Sequence, residues 1–234
     1  MKLSVQDLNS HYGPAHILFD IALEVGDGEV VALLGRNGAG KSTTFRSIVG
    51  LVEQRTGRIV FEGRDVSAEP THAIVSRGLG YVPEERRIFT DLTVDENLEV
   101  GRQPVRPNAP HWTREKLFTL FPNLAEMRNR PGGRMSGGEQ QMLTVARTLM
   151  GNPYLVLLDE PSEGVAPVIV EQMAQMILEL KGQGVSILLS EQNMHFAELV
   201  SDRAYVLEKG QIRYQASMAE LSVNEEVRRA YLSV

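Results

Sequence analysis

Residues 30–43 read VVALLGRNGAGKST, and the fold turns on them. Val30 to Leu34 is an apolar run with room for one buried strand, and a glycine-rich turn follows it. Gly35, four further residues, then Gly40, Lys41 and Ser42 reproduce the spacing GxxxxGK[ST] of a phosphate-binding loop. Each residue type has a mechanical reason. Glycines let successive backbone N–H groups wrap a phosphate without Cβ atoms in the way. A helix starting near Lys41 points its positive end at the same anion, the Lys41 ammonium has the reach for β and γ phosphates, and the Ser42 hydroxyl suits Mg²⁺. Phe45, Ile48, Val49 and Val52 come next at helical spacing. The stretch therefore predicts strand, loop and helix, with a nucleotide held by Gly35, Arg36, Asn37, Gly38, Ala39, Gly40, Lys41, Ser42 and Thr43.

Upstream of this stretch, KLSVQDL at 2–8 alternates apolar and polar residues as a half-buried strand does, and HILFDIALEV at 16–25 follows a turn carrying Tyr12, Gly13 and Pro14. The pair predicts an antiparallel β layer, which GRIVFEGRDV at 57–66 is expected to join. From Thr93 onward the pattern turns helical. Thr93 and Glu96 have capping-box spacing, and helices are predicted over 94–101 and, after the break RQPVRPNAP, over 114–121. MSGGEQQMLTVARTLM at 135–150 opens on a glycine turn and continues as a helix with Met142, Val145, Ala146 and Leu149 on one face.

YLVLLDEP at 154–161 and VSILLS at 185–190 read as buried strands, separated by a helix that begins near Pro167. Repeated apolar strands separated by helices imply a parallel α/β sheet. YVLEKGQIRY at 205–214 predicts a hairpin around Lys209 and Gly210, and the tail from Ser217 a short amphipathic helix. The expected organisation is one domain over 1–234. Residues 1–85 and 154–215 form its core with the β layer, 86–153 an inserted α-helical subdomain, and 216–234 a C-terminal helix.

The bulk properties narrow the function. With 234 residues the chain can bury a real core. A net charge of −6 argues against non-specific nucleic-acid binding, which runs on clustered Lys and Arg. The absence of cysteine removes disulfides and thiolate metal sites. No stretch has the length of a membrane span, and MKLSVQDLNSHYG lacks the apolar region of a signal peptide, so a cytoplasmic location is expected.

A second piece of chemistry stands at the end of 154–161. In a phosphate-loop protein an Asp at the end of a later apolar strand holds Mg²⁺, and Asp159 fits that place. Glu160, one residue on, has the reach to orient and deprotonate a water attacking the γ phosphate, although paired acids can also serve the metal alone. By themselves these features leave kinases, GTPases and helicases open.

SGGEQQ at 136–141, placed upstream of LLDEP at 157–161, resembles the signature motif of ATP-binding cassette (ABC) ATPases, and order and wording match together. The resemblance extends over essentially the whole chain. It implies a phosphate-loop α/β fold with an antiparallel β layer and an inserted helical subdomain, binding ATP with Mg²⁺. It places Tyr12 on the adenine face. Ser136, Gly137 and Gly138 would bind the γ phosphate held by the loop of a second subunit, since two cassettes of this family sandwich two ATP head to tail. A narrower resemblance rests on YVPEERRIFTDLTVDENL at 81–98, EPSEGVAP at 160–167, SEQN at 190–193 and the ending VRRAYLSV. These look like the small ATPase subunit of branched-chain amino-acid importers and their urea or amide relatives. That likeness implies a second, related cassette as partner, a homodimer being the alternative. It also implies two transmembrane permeases, a binding protein acting indirectly, no nucleic acid, and a peripheral place on the inner face of the membrane. A soluble non-transport ABC ATPase and an ATP-binding regulatory module are the rival readings.

Three positions depart from the family pattern. Glu84 stands where most cassettes carry a Gln that contacts the metal site, and a carboxylate there ligates Mg²⁺ more strongly than an amide while adding negative charge. Gln192 stands where most carry a His facing the γ phosphate; it can donate a hydrogen bond to developing charge but cannot take up a proton. Hydrolysis is accordingly expected to lack a histidine limb, and His195 reads as an ordinary helix residue. Ala166 replaces the Asp of a loop that crosses the dimer interface in the family. Arg77, Arg86 and Arg87 form a basic cluster in sequence, expected to be a solvated face.

Overall fold

In the computed structural model, which describes residues 1–232, the chain begins with a long antiparallel pair, β1 (Leu3–Tyr12) and β2 (Ala15–Val25). The tight turn between them passes through Gly13 at φ 56, a conformation glycine adopts without steric cost. β3 (Val30–Leu34) is buried at all five positions and leads through the glycine loop into α1 (Lys41–Ile48). β4 (Gln54–Phe61), β5 (Arg64–Asp65), α2 (Thr71–Ser76) and β6 (Leu79–Val82) follow. A helical block then comprises α3 (Val94–Gly101), α4 (Arg114–Leu120), α5 (Pro122–Glu126) and α6 (Gly137–Leu149). The chain returns as β7 (Leu155–Asp159), α7 (Pro167–Gly182), β8 (Ser186–Glu191), α8 (Met194–Val200), β9 (Arg203–Glu208), β10 (Gln211–Ser217) and α9 (Met218–Val223).

Two sheets result. One is antiparallel in the order β2-β1-β4-β5; the other runs β10-β9-β3-β8-β7-β6, parallel throughout except for β9 with β10. The expected β layer, parallel sheet and helical insertion are thus all present. The uninterrupted apolar strands have a direct cause: the larger sheet is covered on both faces. Along β7, Leu155 and Leu157 pack with Phe45, Ile59 and Leu18 under the antiparallel layer, while Val156 and Leu158 pack with Leu98, Leu117, Leu143 and Ile177 under the helices. The helical block therefore shares its core with the sheet.

Several elements differ from the sequence expectation. β6 was not expected; its four residues, LGYV, are too few to show a period. β9 is more than a hairpin arm, because it also pairs in parallel with β3. The turn to β10 passes through Lys209 at φ 48 and Gly210 at φ 74, as a two-residue hairpin requires. The tail is not one helix from residue 216. Ser217 still belongs to β10, where it caps α9, and Asn224 leaves the helical region and caps a second helical stretch, Glu225–Val227 running on into Arg228–Leu232. Residues 233 and 234, the end of VRRAYLSV, lie outside the described residues. Among the described residues no helix is long and apolar enough to cross a membrane.

Candidate functional site

Parallel pairing brings the site residues to one edge. Leu34 of β3 lies opposite Glu191 of β8, and Asp159 of β7 opposite Ser190. The loops after three strands therefore open side by side, the usual place for ligands in such sheets.

The loop 35–40 is held from both sides. The Gly35 N–H donates to the Glu191 main-chain oxygen at 3.2 Å, and the Gly210 N–H of the β9–β10 turn donates to the Ala39 carbonyl at 2.8 Å. Gly40, at φ 113, has no room for a Cβ, which would meet the Leu18 side chain at 2.8 Å. No side chain caps the start of α1, so its leading N–H groups face the loop. Such a glycine cradle at a helix start suits phosphate. Lys41 is 3 % exposed; its Nζ donates to the carbonyls of Gly35 (2.7 Å) and Arg36 (3.2 Å) and lies 3.0 Å from Glu160 Oε1.

Asp159 is fully buried. Its Oδ1 accepts from Ser42 (3.1 Å) and Ser190 (2.7 Å), and its Oδ2 from the Tyr81 hydroxyl (3.2 Å). Burial pushes its carboxyl above the ordinary range, against the pull of those three hydrogen bonds. Burial and the Asp159 charge push the Tyr81 phenol up in turn. Two hard oxygens, Ser42 Oγ and Asp159 Oδ1, thus stand together as Mg²⁺ requires of a site that draws its other ligands from phosphate and water. Glu84 is not bonded to them. It does lie within their field: burial first, then the charges of Glu160, Asp159 and Glu85, push its carboxyl up.

Glu160 has φ 46, the left-handed region that non-glycine residues rarely enter. It is held there by its N–H, which donates to the Ser190 carbonyl (3.2 Å) and hydroxyl (3.0 Å). A backbone outlier over-determined by its surroundings is typical of functional positions. Its second carboxylate oxygen, Oε2, is buried without a partner. The Glu160 carboxylate beside it, then partial burial and the charge of Glu84, push Glu163 up to about 7, with Lys41 pulling the other way. Gln192 Nε2 lies 3.5 Å from Glu163 Oε2, so Gln192 stands over the same loop. His195 is an exposed residue of α8.

Among the described residues no hydrogen bond joins the other expected residues to this edge. Tyr12 ends β1 and is 46 % exposed. Ser136 caps α6 through a capping box, its N–H donating to Glu139 Oε2 at 2.6 Å and its Oγ accepting from Glu139 at 3.4 Å. Gly137 abuts the Arg86 guanidinium and Gly138 the Ile169 side chain. Among the described residues no hydrogen bond links Ser136, Gly137 or Gly138 to the phosphate loop. The basic cluster is also not one patch: Arg77 closes on Glu69 at 2.6 and 2.8 Å, Arg87 faces Glu85 at 3.7 Å, and Arg86 lies on Gly137. A cleft of about 1030 Å³ lies elsewhere, between α4–α5 and α7, lined by Trp112, Phe121, Met142 and Met176.

Sequence reasoning missed Tyr81, Glu163, Ser190 and Glu191. The last two are brought to the site only by strand pairing, Ser190 opposite Asp159 and Glu191 opposite Leu34.

Comparison with known proteins gives a consistent result. The family described as "ABC transporter" matches residues 18–163. The chain is 43 % identical over 230 residues to the high-affinity branched-chain amino acid transport ATP-binding protein BraG of Pseudomonas aeruginosa, covering 98 % of this chain and 99 % of that one. It is 38 % identical over 232 residues to the lipopolysaccharide export system ATP-binding protein LptB of Haemophilus influenzae, covering 98 % and 96 %. The solved ADP conformation of MJ1267, an ATP-binding cassette of an ABC transporter, superposes with a TM-score of 0.80 at 27 % identity and covers 97 % of each chain.

Proposed function

Because this chain belongs to the ABC transporter family and is an ABC ATPase subunit, we propose that it powers a membrane importer for branched-chain amino acids or related small polar solutes. The observation that carries the reading is the convergence of Lys41, Ser42, Asp159 and Glu160 at one strand edge. The end-to-end similarity to BraG supports the choice of solute class.

In this reading Gly35 to Thr43 cradle the phosphates of ATP. The Lys41 ammonium exchanges two carbonyls and Glu160 for phosphate oxygens. Ser42, Asp159 and Glu84 hold Mg²⁺, which when bound neutralises phosphate charge. Glu160, released from Lys41, takes the proton of the attacking water, and the Gln192 amide donates to the oxygen on which charge develops. Tyr12 supplies an exposed aromatic face to the adenine. Ser136, Gly137 and Gly138, apart from the phosphate loop within one chain, act across a dimer on the partner's nucleotide. Only the closed dimer makes both sets of phosphate contacts, so ATP shifts the population toward closure. The core at 1–85 and 154–215 carries the nucleotide, and the block at 86–153 passes the motion to two permeases from the cytoplasmic side. Phe89, 46 % exposed with the Arg147 guanidinium 5.1 Å from its ring centre, and exposed Val100 on α3 offer that block an apolar surface.

The test is gentle solubilisation of membranes from the native cell followed by identification of what accompanies the tagged chain. Two multispanning proteins, a second cassette and a binding protein that takes branched-chain amino acids are the expected result. Recovery with a lipopolysaccharide export assembly replaces import by export, the reading that the similarity to LptB favours. Recovery alone in the soluble fraction overturns both.

A further inference from the structure

Glu191, the last residue of β8, is 1 % exposed, and three of its oxygens are each committed to a different loop. Oε1 accepts the Ser162 N–H at 3.1 Å, Oε2 accepts the Asn193 N–H at 3.1 Å, and the main-chain oxygen accepts the Gly35 N–H at 3.2 Å. Ser162 lies in the loop just past Glu160, Asn193 adjoins Gln192, and Gly35 opens the phosphate loop. We propose that Glu191 is a positioning residue for hydrolysis: its buried carboxylate ties the loop carrying Glu160 to the loop carrying Gln192, so that both meet the γ phosphate in one fixed relation. The inference rests on the roles proposed above for Glu160 and Gln192.

The geometry argues against a merely local role. A buried carboxylate is costly unless its lone pairs are used, and packing at a strand end needs no charge. Here each oxygen is used on a backbone donor of a separate loop. The neighbouring Ser190 completes the frame, holding Asp159 through its hydroxyl and the Glu160 N–H through its carbonyl and hydroxyl. Two consecutive residues of β8 thus tie Asp159, Glu160, Ser162, Asn193 and the start of the phosphate loop to one strand. Burial pushes the Glu191 carboxyl up, and the Ser162 and Asn193 donors pull it back. Loosening the tie displaces the two reacting groups relative to each other, and small misplacements of this kind cost rate steeply. Nucleotide binding depends on Gly35 to Thr43, which Glu191 supports through its main chain, and that contact survives a side-chain change.

The experiment is a double-mutant cycle on the ATPase activity of the purified membrane complex, with Glu191→Gln, Gln192→Ala and the pair. The Gln side chain has the same shape, but its NH₂ must face one of the two N–H groups, which frees one loop. Glu191→Gln is expected to lower kcat at least about tenfold with KM for MgATP within about twofold. The loss in the double variant is expected to fall short of the product of the single losses by about threefold or more, as for two residues acting through one another. Glu191→Asp, which keeps both acceptors on a shorter stem, is expected to recover part of kcat, and its cycle with Gln192→Ala serves if Glu191→Gln does not fold. A Glu191→Gln enzyme with wild-type kcat, a rise in KM alone, or losses that multiply in full overturn the proposal. Wild-type kcat in Gln192→Ala alone is instead the failure of the role given to Gln192.

Discussion

The Lys41 ammonium stands 3.0 Å from a Glu160 carboxylate oxygen, and the two side chains are only 3 % and 6 % exposed. Removing one member of a buried ion pair leaves the other charge without compensation, at a cost of about 3–5 kcal/mol. The two halves are not equivalent. Lys41 has the carbonyls of Gly35 and Arg36 to fall back on, whereas Glu160 Oε2 already lacks a partner. Lys41→Ala is therefore expected to destabilise the nucleotide-free chain by about 3 kcal/mol or more, and Glu160→Gln by clearly less, as read by urea unfolding. Both lose turnover by at least about a hundredfold, but only Glu160→Gln retains binding of MgATP. Equal destabilisation by the two variants would show that the ion pair does not organise the empty loop.

Glu163 gives the site a titration in the neutral range. The neighbouring Glu160 carboxylate and its own partial burial push it from an ordinary 4.5 up to about 7. A carboxyl raised in the folded state binds more protons than in the unfolded chain between those values, so folding stability falls as pH rises from about 4.5 to about 7 and is flat beyond. Glu163→Gln is expected to flatten this window in thermal unfolding measured against pH. The same group belongs to the free enzyme, whose ionisations govern kcat/KM. A limb of kcat/KM near pH 7 is thus expected to vanish in Glu163→Gln and persist in His195→Ala. A limb lost in His195→Ala would show that His195, and not Gln192, holds the position where most cassettes carry a His.

Legibility followed physical cause. The phosphate loop was readable because its glycines are forced by φ and by space, as at Gly40 against Leu18, and because two-sided burial makes the strands Val30–Leu34 and Leu155–Asp159 continuous apolar runs. Asp159 and Glu160 were readable from their place at the end of such a run. Tyr81, Ser190 and Glu191 were not assigned roles, because their partners lie 78, 31 and 29 residues away in the chain and only strand pairing makes them neighbours. The tail was misread for a local reason, since an amphipathic period says nothing of Asn224, whose side chain caps a new turn in place of continuing the old one.

Two capping boxes in the helical block separate stability from function. Thr93 caps α3 and Ser136 caps α6 with the same pair of reciprocal hydrogen bonds to Glu96 and Glu139. Loss of such a cap costs about 0.5–2 kcal/mol, so Thr93→Ala and Ser136→Ala are expected to lower the unfolding midpoint to a similar degree. Their effects on hydrolysis should diverge. Thr93 has no proposed contact with nucleotide, and its variant is expected to keep kcat within about twofold at temperatures where it is folded, as a substitution outside the site does. Ser136, in the signature proposed to reach the partner's γ phosphate, is expected to lose at least about tenfold in kcat, the range of one lost transition-state donor. Mixing Ser136→Ala chains with Lys41→Ala chains sharpens the comparison if the chain pairs with itself. Each mixed dimer then keeps one composite site with an intact loop and an intact signature if the two motifs act across the pair, and none if they act within a chain. Recovery of activity on mixing is expected only from action across the pair, and its absence in a proven mixed dimer would return Ser136 to the role of a helix cap.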